Sequence, residues 1–119
     1  MGTFPHDIQL YVTPDGKAPF SQWLSVLRDP KARAKIRVRL DRVRLGNLGD
    51  HRPVGEGVWE FRIDYGPGYR VYFGQVGTRI VVLLGGGAKA TQDRDIRQAQ
   101  ARWADFRSRA DGEDEAVSG

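Results

Sequence analysis

The first regular pattern along the chain is an alternation of apolar and polar positions over residues 8–13, Ile-Gln-Leu-Tyr-Val-Thr. Its β-rich composition predicts a strand, which the turn-forming residues 14–16 end. After Pro19 the apolar spacing becomes i, i+3, i+4, i+7, which predicts a short amphipathic helix with Ser21 as its N-cap. The apolar positions of this helix are Phe20, Trp23, Leu24 and Leu27.

A second helix is predicted directly after the first, because Asp29 can cap its start and Pro30 suits its first position. It extends to about Leu45, with Gly46 just past its end, so the two helices form a hairpin. The stretch from Gly46 to Gly57 holds Gly, Asn, Asp and Pro with little periodicity, and we expect a loop there. The apolar stripe of the second helix is Ala32, Ile36, Leu40 and Val43.

Three consecutive antiparallel strands are predicted next, joined by short turns that contain glycine. They cover residues 58–64, 68–75 and 78–84. The triplet Gly85–Gly87 is expected to break the sheet, and a last helix follows from Thr91, its N-cap, to about Arg109. The residues spaced to pack this helix on the sheet are Ile96, Ala99, Trp103 and Phe106.

The order of these elements, β-α-α-β-β-β-α, predicts an α+β domain in which a helical hairpin and a C-terminal helix pack against one antiparallel sheet. With 119 residues, 39% of them hydrophobic, the chain is long enough for one core and too short for two ordinary domains. We expect this domain to span residues 1–109. Residues 110–119 are acidic and unpatterned, which predicts a disordered tail.

The charge is unevenly distributed along the chain. Lys and Arg number 19 against 15 Asp and Glu, a net charge of +4, but four of the acidic residues lie within the last nine positions. The rest of the chain is therefore strongly basic. A field of that sign attracts polyanions, so the balance favours nucleic acid, the ribosome or an acidic protein as a partner.

Several functional classes are disfavoured by what the sequence lacks. Cys is absent, which excludes disulfides and thiolate metal sites, and two His without a carboxylate cluster make a poor metal site. We therefore expect no metal and no cofactor. No stretch approaches the roughly 18 apolar residues of a membrane span, and the start does not resemble a signal peptide, so we expect a cytoplasmic protein without membrane contact.

The hairpin within residues 58–75 predicts its own register. If it is centred on Gly66, six apolar or aromatic residues share one face, and a slip by one residue would expose them all. The facing pairs are Trp59 with Phe73, Phe61 with Val71, and Ile63 with Tyr69. The other face then carries two pairs, Glu60 opposite Tyr72 and Arg62 opposite Arg70.

Arg62 and Arg70 would repel each other across the strand pair, at a cost of up to about 1 kcal/mol. An anion is therefore expected beside them. The residues alone leave two alternatives open: Glu60 and Asp64 neutralise both guanidinium groups within the fold, or the pair binds a phosphate, whose oxygens match the guanidinium fork. Both can hold in turn if a ligand displaces the carboxylates.

Several strings of residues carry a resemblance to a known family. The most specific is Gly66-Pro-Gly-Tyr-Arg-Val-Tyr-Phe73. Others are Phe20-Ser-Gln-Trp-Leu24, Leu45-Gly-Asn-Leu-Gly-Asp50, Val54-Gly-Glu-Gly-Val58, Glu60-Phe-Arg-Ile-Asp64 and Leu83-Leu-Gly-Gly-Gly87. Taken in chain order, these strings resemble the HigB-like addiction-module killer proteins of the RelE/ParE superfamily, and the resemblance extends from about Ile8 to Phe106. Those proteins are toxins of type II toxin–antitoxin systems.

The resemblance implies a RelE-like fold, a cognate antitoxin that is often a helix-turn-helix protein, and growth arrest when the toxin is freed. Many superfamily members cut mRNA in the ribosomal A site without metal, so mRNA and the ribosome are the expected partners. A divergent branch instead poisons DNA gyrase. Three functions stay open: a ribosome-dependent mRNA endoribonuclease, which we favour; a non-enzymatic inhibitor of gyrase or another protein; and a decayed member that only binds its antitoxin.

The same resemblance assigns roles to individual residues. Arg70 holds the position that helps to bind the scissile phosphate, and Lys89 holds the basic position after the last strand. The sequence also departs from the family, because Ala88 stands where close relatives usually have Asp. No Tyr or His lies between Lys89 and Phe106, so the usual C-terminal general acid or base has no candidate.

Cleavage by attack of the RNA 2′-hydroxyl needs cations for the phosphate oxygens and groups that transfer protons. We expect Arg62, Arg70 and Lys89 to supply the cations. The candidates for proton transfer are Tyr72 on the same strand face, His51 in the preceding loop, and Lys89.

The second helix carries basic residues all around its apolar stripe. They are Lys31, Arg33, Lys35, Arg37, Arg39, Arg42 and Arg44. One interpretation is a solvated helix surface with a narrow buried stripe. The functional interpretation is electrostatic docking on the ribosomal RNA backbone, which would be independent of sequence and sensitive to salt.

Overall fold

The computed structural model describes residues 5–118, with the side chains of residues 5–111. Its elements in chain order are β1 (Asp7–Leu10), α1 (Pro19–Val26), α2 (Pro30–Arg44), β2 (His51–Gly55), β3 (Val58–Ile63), β4 (Tyr69–Val76), β5 (Ile80–Ala88), a 3₁₀ helix (Lys89–Thr91) and α3 (Gln92–Ser118).

The five strands form one sheet in the order β1-β5-β4-β3-β2. The pairs β2–β3, β3–β4 and β4–β5 are antiparallel, as expected of a meander with short turns. Strand β1 runs parallel to β5, so the sheet is mixed and the prediction of an antiparallel sheet is wrong. The alternation in β1 indicates a strand but contains no information on its direction relative to a distant partner.

The register predicted for the β3–β4 hairpin is confirmed at every pair. Trp59 lies opposite Phe73, and Arg62 lies opposite Arg70. Strand β2, however, was predicted as part of a loop. It is an edge strand that contains Pro53, and Arg52 lies opposite Glu60. An edge position tolerates proline and needs no buried face, so the usual alternation is weak there.

Helices cover both faces of the sheet, and the sheet and helices together form one α+β domain. Helices α1 and α2 pack on the face that carries Phe61 and Phe73, where the predicted stripe of α2 is fully or nearly fully buried. Helix α3 packs on the opposite face through Ala99 and Trp103, against Tyr72 and other side chains. The face that carries Glu60 and Arg70 is therefore covered over part of its area.

The triplet Gly85–Gly87 was expected to break the sheet, but all three residues lie within β5. Their role is close packing of the helices. A Cβ on Gly86 would overlap the ring of Trp23, and one on Gly87 would overlap the carboxylate of Asp95. Glycine here permits helix contacts on both faces, which a sequence pattern cannot distinguish from a chain break.

The helix boundaries agree with the predictions in part. Asp29 caps α2 as predicted, since its carboxylate accepts a hydrogen bond from Lys31 N at 2.9 Å. Ser21 is not the cap of α1, because Ala18 holds that position. Thr91 directly precedes α3, which continues to Ser118 and so beyond the end predicted near Arg109. The boundary between a domain and a disordered tail at residue 109 stays a prediction.

Candidate functional site: a cationic cleft at the end of the central hairpin

A cleft of about 280 Å³ opens where the β3–β4 turn meets the end of β5. Its lining consists of Asp50, Arg62, Asp64, Gly66, Pro67, Gly68, Arg70 and Lys89. We call it the arginine cleft. It brings together the three residues for which the sequence predicts the role of phosphate-binding cations.

The sheet register explains why these three cations meet. Arg62 and Arg70 are cross-strand partners on β3 and β4, and Gly87 of β5 lies opposite Arg70 on its other side. Two residues after Gly87 the chain reaches Lys89, whose backbone N–H donates to Gly68 O at 2.9 Å. This hydrogen bond holds the start of the 3₁₀ helix against the hairpin turn. The side chain of Lys89 is thereby kept beside the arginine pair.

Arg70 is a buried cation with unused hydrogen-bonding capacity. Its side chain is 7% exposed, and its Nη1 donates to Tyr69 O at 3.0 Å. Its Nε has no hydrogen-bond partner among the described residues. An unsatisfied buried donor costs free energy, and this Nε is enclosed rather than open to the cleft. Arg70 therefore contributes to the cleft that it lines through the positive charge of its guanidinium.

The carboxylate nearest to Arg70 is that of Glu60, whose side chain is fully buried. Glu60 Oε2 lies 3.8 Å from Arg70 Nε, a distance that allows electrostatic attraction without a hydrogen bond. Glu60 accepts hydrogen bonds from Arg52 Nε at 2.6 Å and from Gln92 Nε2 at 2.9 Å. Both of its oxygens are therefore engaged by residues other than Arg70.

Arg62 is paired differently from Arg70. Its Nε lies 3.9 Å from Asp50 Oδ2, and the two side chains are 42% and 62% exposed. Ion pairs of this kind are worth little and are readily exchanged for another partner. Of the internal network that the sequence leaves open as one alternative, the structure contains the pair of Glu60 and Arg70. Arg62 pairs with Asp50 instead, and Asp64 lies exposed in the cleft wall.

Tyr72 lies away from the arginine cleft although it shares the strand face of Arg70. Its side chain is buried under α3, and its hydroxyl has no hydrogen-bond partner among the described residues. Burial raises the pKa of this hydroxyl far above its ordinary value, and the charge of Glu60 raises it further. A phenol that holds its proton so firmly is poorly suited to acid–base chemistry near pH 7.

His51 lies on the other face of the sheet. Its cross-strand partner is Phe61, which belongs to the core beneath α1 and α2. The ring packs 5.5 Å from that of Trp59, and its Nδ1 lies 2.8 Å from Gly49 O. Of the three predicted proton-transfer residues, the structure therefore places Lys89 in the cleft and the other two outside its lining.

Carboxylates in the cleft are functional candidates that the sequence analysis missed. Asp50 and Asp64 line the cleft beside the three cations, and either can accept a proton. Asp64 had been considered only as a counter-ion, and Asp50 lay in a predicted loop. Asp50 lies beside Arg62 because the residues that lead into β2 run along β3, where Arg62 N donates to Asp50 O at 3.1 Å. Asp64 directly follows β3 and is two residues from Arg62 in the chain.

The basic residues of α2 separate into two groups. Five are exposed, namely Lys31, Lys35, Arg37, Arg42 and Arg44. Arg33 and Arg39 are half-buried and donate to backbone carbonyls, Arg33 to Leu27 and Arg39 to Leu48, Asp50 and Arg62. Burial lowers the pKa of Arg39, although a guanidinium remains protonated at neutral pH. Arg39 therefore holds the segment that leads into β2.

The described part of the chain offers no group of three or more His, Cys, Asp or Glu side chains arranged to hold a metal ion. Its helices are also too short or too polar to cross a membrane. The chemistry available at the arginine cleft is thus that of fixed cations, an amine and two carboxylates.

These observations define a small α+β domain with a cleft at one end of its sheet that is lined by three cationic side chains and two carboxylates. Residues 22–104 match the family described as phage derived protein Gp49-like (DUF891), and this stretch contains every residue that lines the arginine cleft. The chain belongs to this family, a RelE/HigB-like toxin family of toxin–antitoxin systems.

Among curated proteins, a relative from Haemophilus influenzae is described as an uncharacterized protein. It is 49% identical over 81 residues, which cover 68% of this chain and 82% of the relative. The relative thus supports the family assignment and adds no activity to it.

Proposed function

We propose that the protein is the toxin of a type II toxin–antitoxin system and inhibits translation as a ribosome-dependent, metal-independent mRNA endoribonuclease. The observation that carries this proposal is the buried guanidinium of Arg70, whose Nε lacks a hydrogen-bond partner among the described residues at the wall of a cationic cleft. Membership of a RelE/HigB-like toxin family supports it. We also propose that the strands and helices of the domain have the RelE-like arrangement that the sequence resemblance implies.

The proposed reaction is an internal transfer at one phosphate of the mRNA. The 2′-hydroxyl loses its proton, its oxygen bonds to phosphorus, and the bond from phosphorus to the 5′-oxygen breaks. The leaving oxygen gains a proton, so the products are a 2′,3′-cyclic phosphate and a 5′-hydroxyl. Arg62, Arg70 and Lys89 would stabilise the charge that develops on the other phosphate oxygens.

Proton transfer is the weaker part of the site. Within the cleft, Asp50 and Asp64 are available to accept the proton of the 2′-hydroxyl, and Lys89 is available to donate to the leaving oxygen. All three are exposed side chains, and none of them is enclosed beside a fixed partner as Glu60 is. Positioning of the mRNA by the ribosome would compensate, because orientation alone can contribute several kcal/mol, up to about 7–11 in ideal cases.

The proposed partners follow from the charge distribution and the family. The five exposed cations of α2 would dock on the ribosomal RNA backbone. Arg33 and Arg39 are left out of that set because they bind backbone carbonyls of this chain. A cognate antitoxin, which we expect to be a helix-turn-helix protein, would keep the toxin inactive. A cytoplasmic location belongs to the same proposal, since mRNA and ribosomes are there.

A second candidate function has a specific observation in its favour. Tyr72 and His51 lie outside the cleft lining, and Ala88 supplies no acid group at its edge. A site that binds phosphate but transfers protons poorly would suit a non-enzymatic inhibitor of DNA gyrase or another protein. It would also suit a decayed member that retains only antitoxin binding.

The proposal is tested with purified protein on two RNA substrates. We expect cleavage of mRNA on programmed ribosomes, with naked RNA left largely intact, 2′,3′-cyclic or 3′-phosphate ends, and no effect of EDTA. Arg70→Ala should abolish cleavage. Arg107→Ala, which removes an exposed arginine far from the cleft, should retain it. Intact mRNA on ribosomes from several bacteria would overturn the nuclease proposal.

A further inference from the structure

Glu60 is a fully buried carboxylate on β3, two strand positions from Arg62. We infer that Glu60 is an internal counter-ion of Arg70, and that Arg52 and Gln92 hold its carboxylate back so that the charge of Arg70 is only partly neutralised and still attracts a phosphate. The inference rests on the proposed function for the identity of the ligand, a phosphate group. It assigns positioning roles to three residues that do not line the cleft.

The distances show that Glu60 and Arg70 form an ion pair without a hydrogen bond between them. Glu60 Oε2 lies 2.6 Å from Arg52 Nε but 3.8 Å from Arg70 Nε, and Oε1 accepts from Gln92 Nε2 at 2.9 Å. Each carboxylate oxygen thus has a hydrogen-bond donor that is not Arg70. Arg70 gains the attraction of a negative charge while its Nε stays without a partner among the described residues.

Burial explains why some counter-charge is required. A guanidinium that is 93% removed from solvent would be strongly destabilising without a nearby anion. A direct, hydrogen-bonded pair of arginine and carboxylate would satisfy that need, but it would also neutralise more of the charge that attracts a phosphate. The observed spacing meets the electrostatic requirement and leaves part of the charge of Arg70 to act on the cleft.

The three residues that set this spacing come from different elements. Glu60 lies on β3, Arg52 on the edge strand β2, and Gln92 at the first position of α3. Arg52 is half exposed, whereas Glu60 is fully enclosed. Loss of either donor would free one carboxylate oxygen to turn toward Arg70. Phosphate binding in the cleft should then weaken, although no cleft residue has been changed.

The test follows inorganic phosphate binding through the Nε–Hε signal of Arg70 in nuclear magnetic resonance spectra, identified with Arg70→Lys. Arg52→Met should weaken phosphate binding by roughly fivefold, the factor that corresponds to a good partly exposed ion pair. Arg52→Lys, which keeps a donor and the charge, should restore most of the affinity. Glu60→Gln should bind phosphate at least as tightly as the wild type.

Two comparisons separate this mechanism from a general loss of positive charge. In the Glu60→Gln background, Arg52→Met should have little further effect, since the carboxylate through which Arg52 acts is gone. Gln92→Leu changes no charge and should weaken phosphate binding in the Glu60 protein. A full-size effect of Arg52→Met without Glu60, or wild-type affinity in Gln92→Leu, would overturn the inference. If Glu60→Gln does not fold, the phosphate affinity of Gln92→Leu is sufficient to test the inference.

Failure of this inference is distinguishable from failure of the proposed function. Coupling between Arg52, Gln92 and phosphate is measured without ribosomes, so it can hold in a protein that does not cleave mRNA. Cleavage with Arg70-dependent activity but no such coupling would overturn the inference alone. An Arg70 signal that does not respond to phosphate in the wild type would overturn it as well.

Discussion

Arg39 provides a sharp test of the distinction between a structural arginine and an RNA-binding one. Its guanidinium donates to Leu48 O at 3.0 Å, Asp50 O at 2.5 Å and Arg62 O at 2.9 Å. It also lies 5.4 Å from the centre of the Phe61 ring. These contacts tie α2 to the segment that precedes β2, so Arg39→Ala is expected to destabilise the whole domain.

The expected size follows from these contacts. About 1 kcal/mol for each of three carbonyls gives about 3 kcal/mol, and partial exposure reduces the expectation to about 2 kcal/mol. For a chain of this length, roughly 4 °C in Tm corresponds to each kcal/mol, so we expect a decrease of about 8 °C. Thermal unfolding followed by circular dichroism measures it directly.

Arg42→Ala is the matched control, since Arg42 lies on the same helix, lines the same groove as Arg39 and is exposed. It removes the same charge and should change stability by no more than about 0.5 kcal/mol. Equal melting temperatures for the two variants would refute the structural role. Arg39 would then return to the set of RNA-docking residues that the sequence predicts.

Three further predictions follow from single side chains. Arg70→Ala should abolish growth inhibition at equal abundance yet lower the Tm by only a few degrees, because Glu60 keeps its other donors; unchanged toxicity would contradict this. Tyr72→Phe should remain toxic and melt no lower than the wild type, because it removes a buried hydroxyl with no described partner. The hydrogen bond from the Tyr11 hydroxyl lowers the pKa of Asp105. The ionised carboxylate of Asp105 therefore stabilises the folded state above about pH 4, and this contribution is lost below that pH. The Tm difference between wild type and Asp105→Asn should therefore narrow in acid, and a constant difference would exclude this origin.

The sequence best predicts those elements whose hydrophobic pattern is compatible with only one arrangement. Burial of Phe61 and Phe73 on the same face requires the observed hairpin register, and the stripe of α2 is equally unambiguous. The edge strand β2 has no buried face to reveal it, and nothing local determines that β1 is parallel to β5. Gly86 and Gly87 resemble a chain break because close packing and turns both favour glycine.

The candidate site was predictable to the extent that it depends on the hairpin. The register alone brings Arg62 to Arg70, and the family resemblance adds Lys89. The contacts of Glu60 with Arg52 and Gln92 join residues up to 32 positions apart, and no local pattern encodes them. Arg39 differs from the other cations of α2 only through partners that lie across the fold.

We propose that the arginine cleft directs cleavage of mRNA during translation. Its most direct test is induced expression of wild type and Arg70→Ala in a bacterial host, with mapping of mRNA 5′ ends and measurement of plasmid supercoiling in the same cultures. We predict new 5′ ends within coding regions, in the wild type alone, with supercoiling unchanged. Growth arrest without new 5′ ends, accompanied by a fall in supercoiling, would show that the toxin acts on gyrase and not on mRNA.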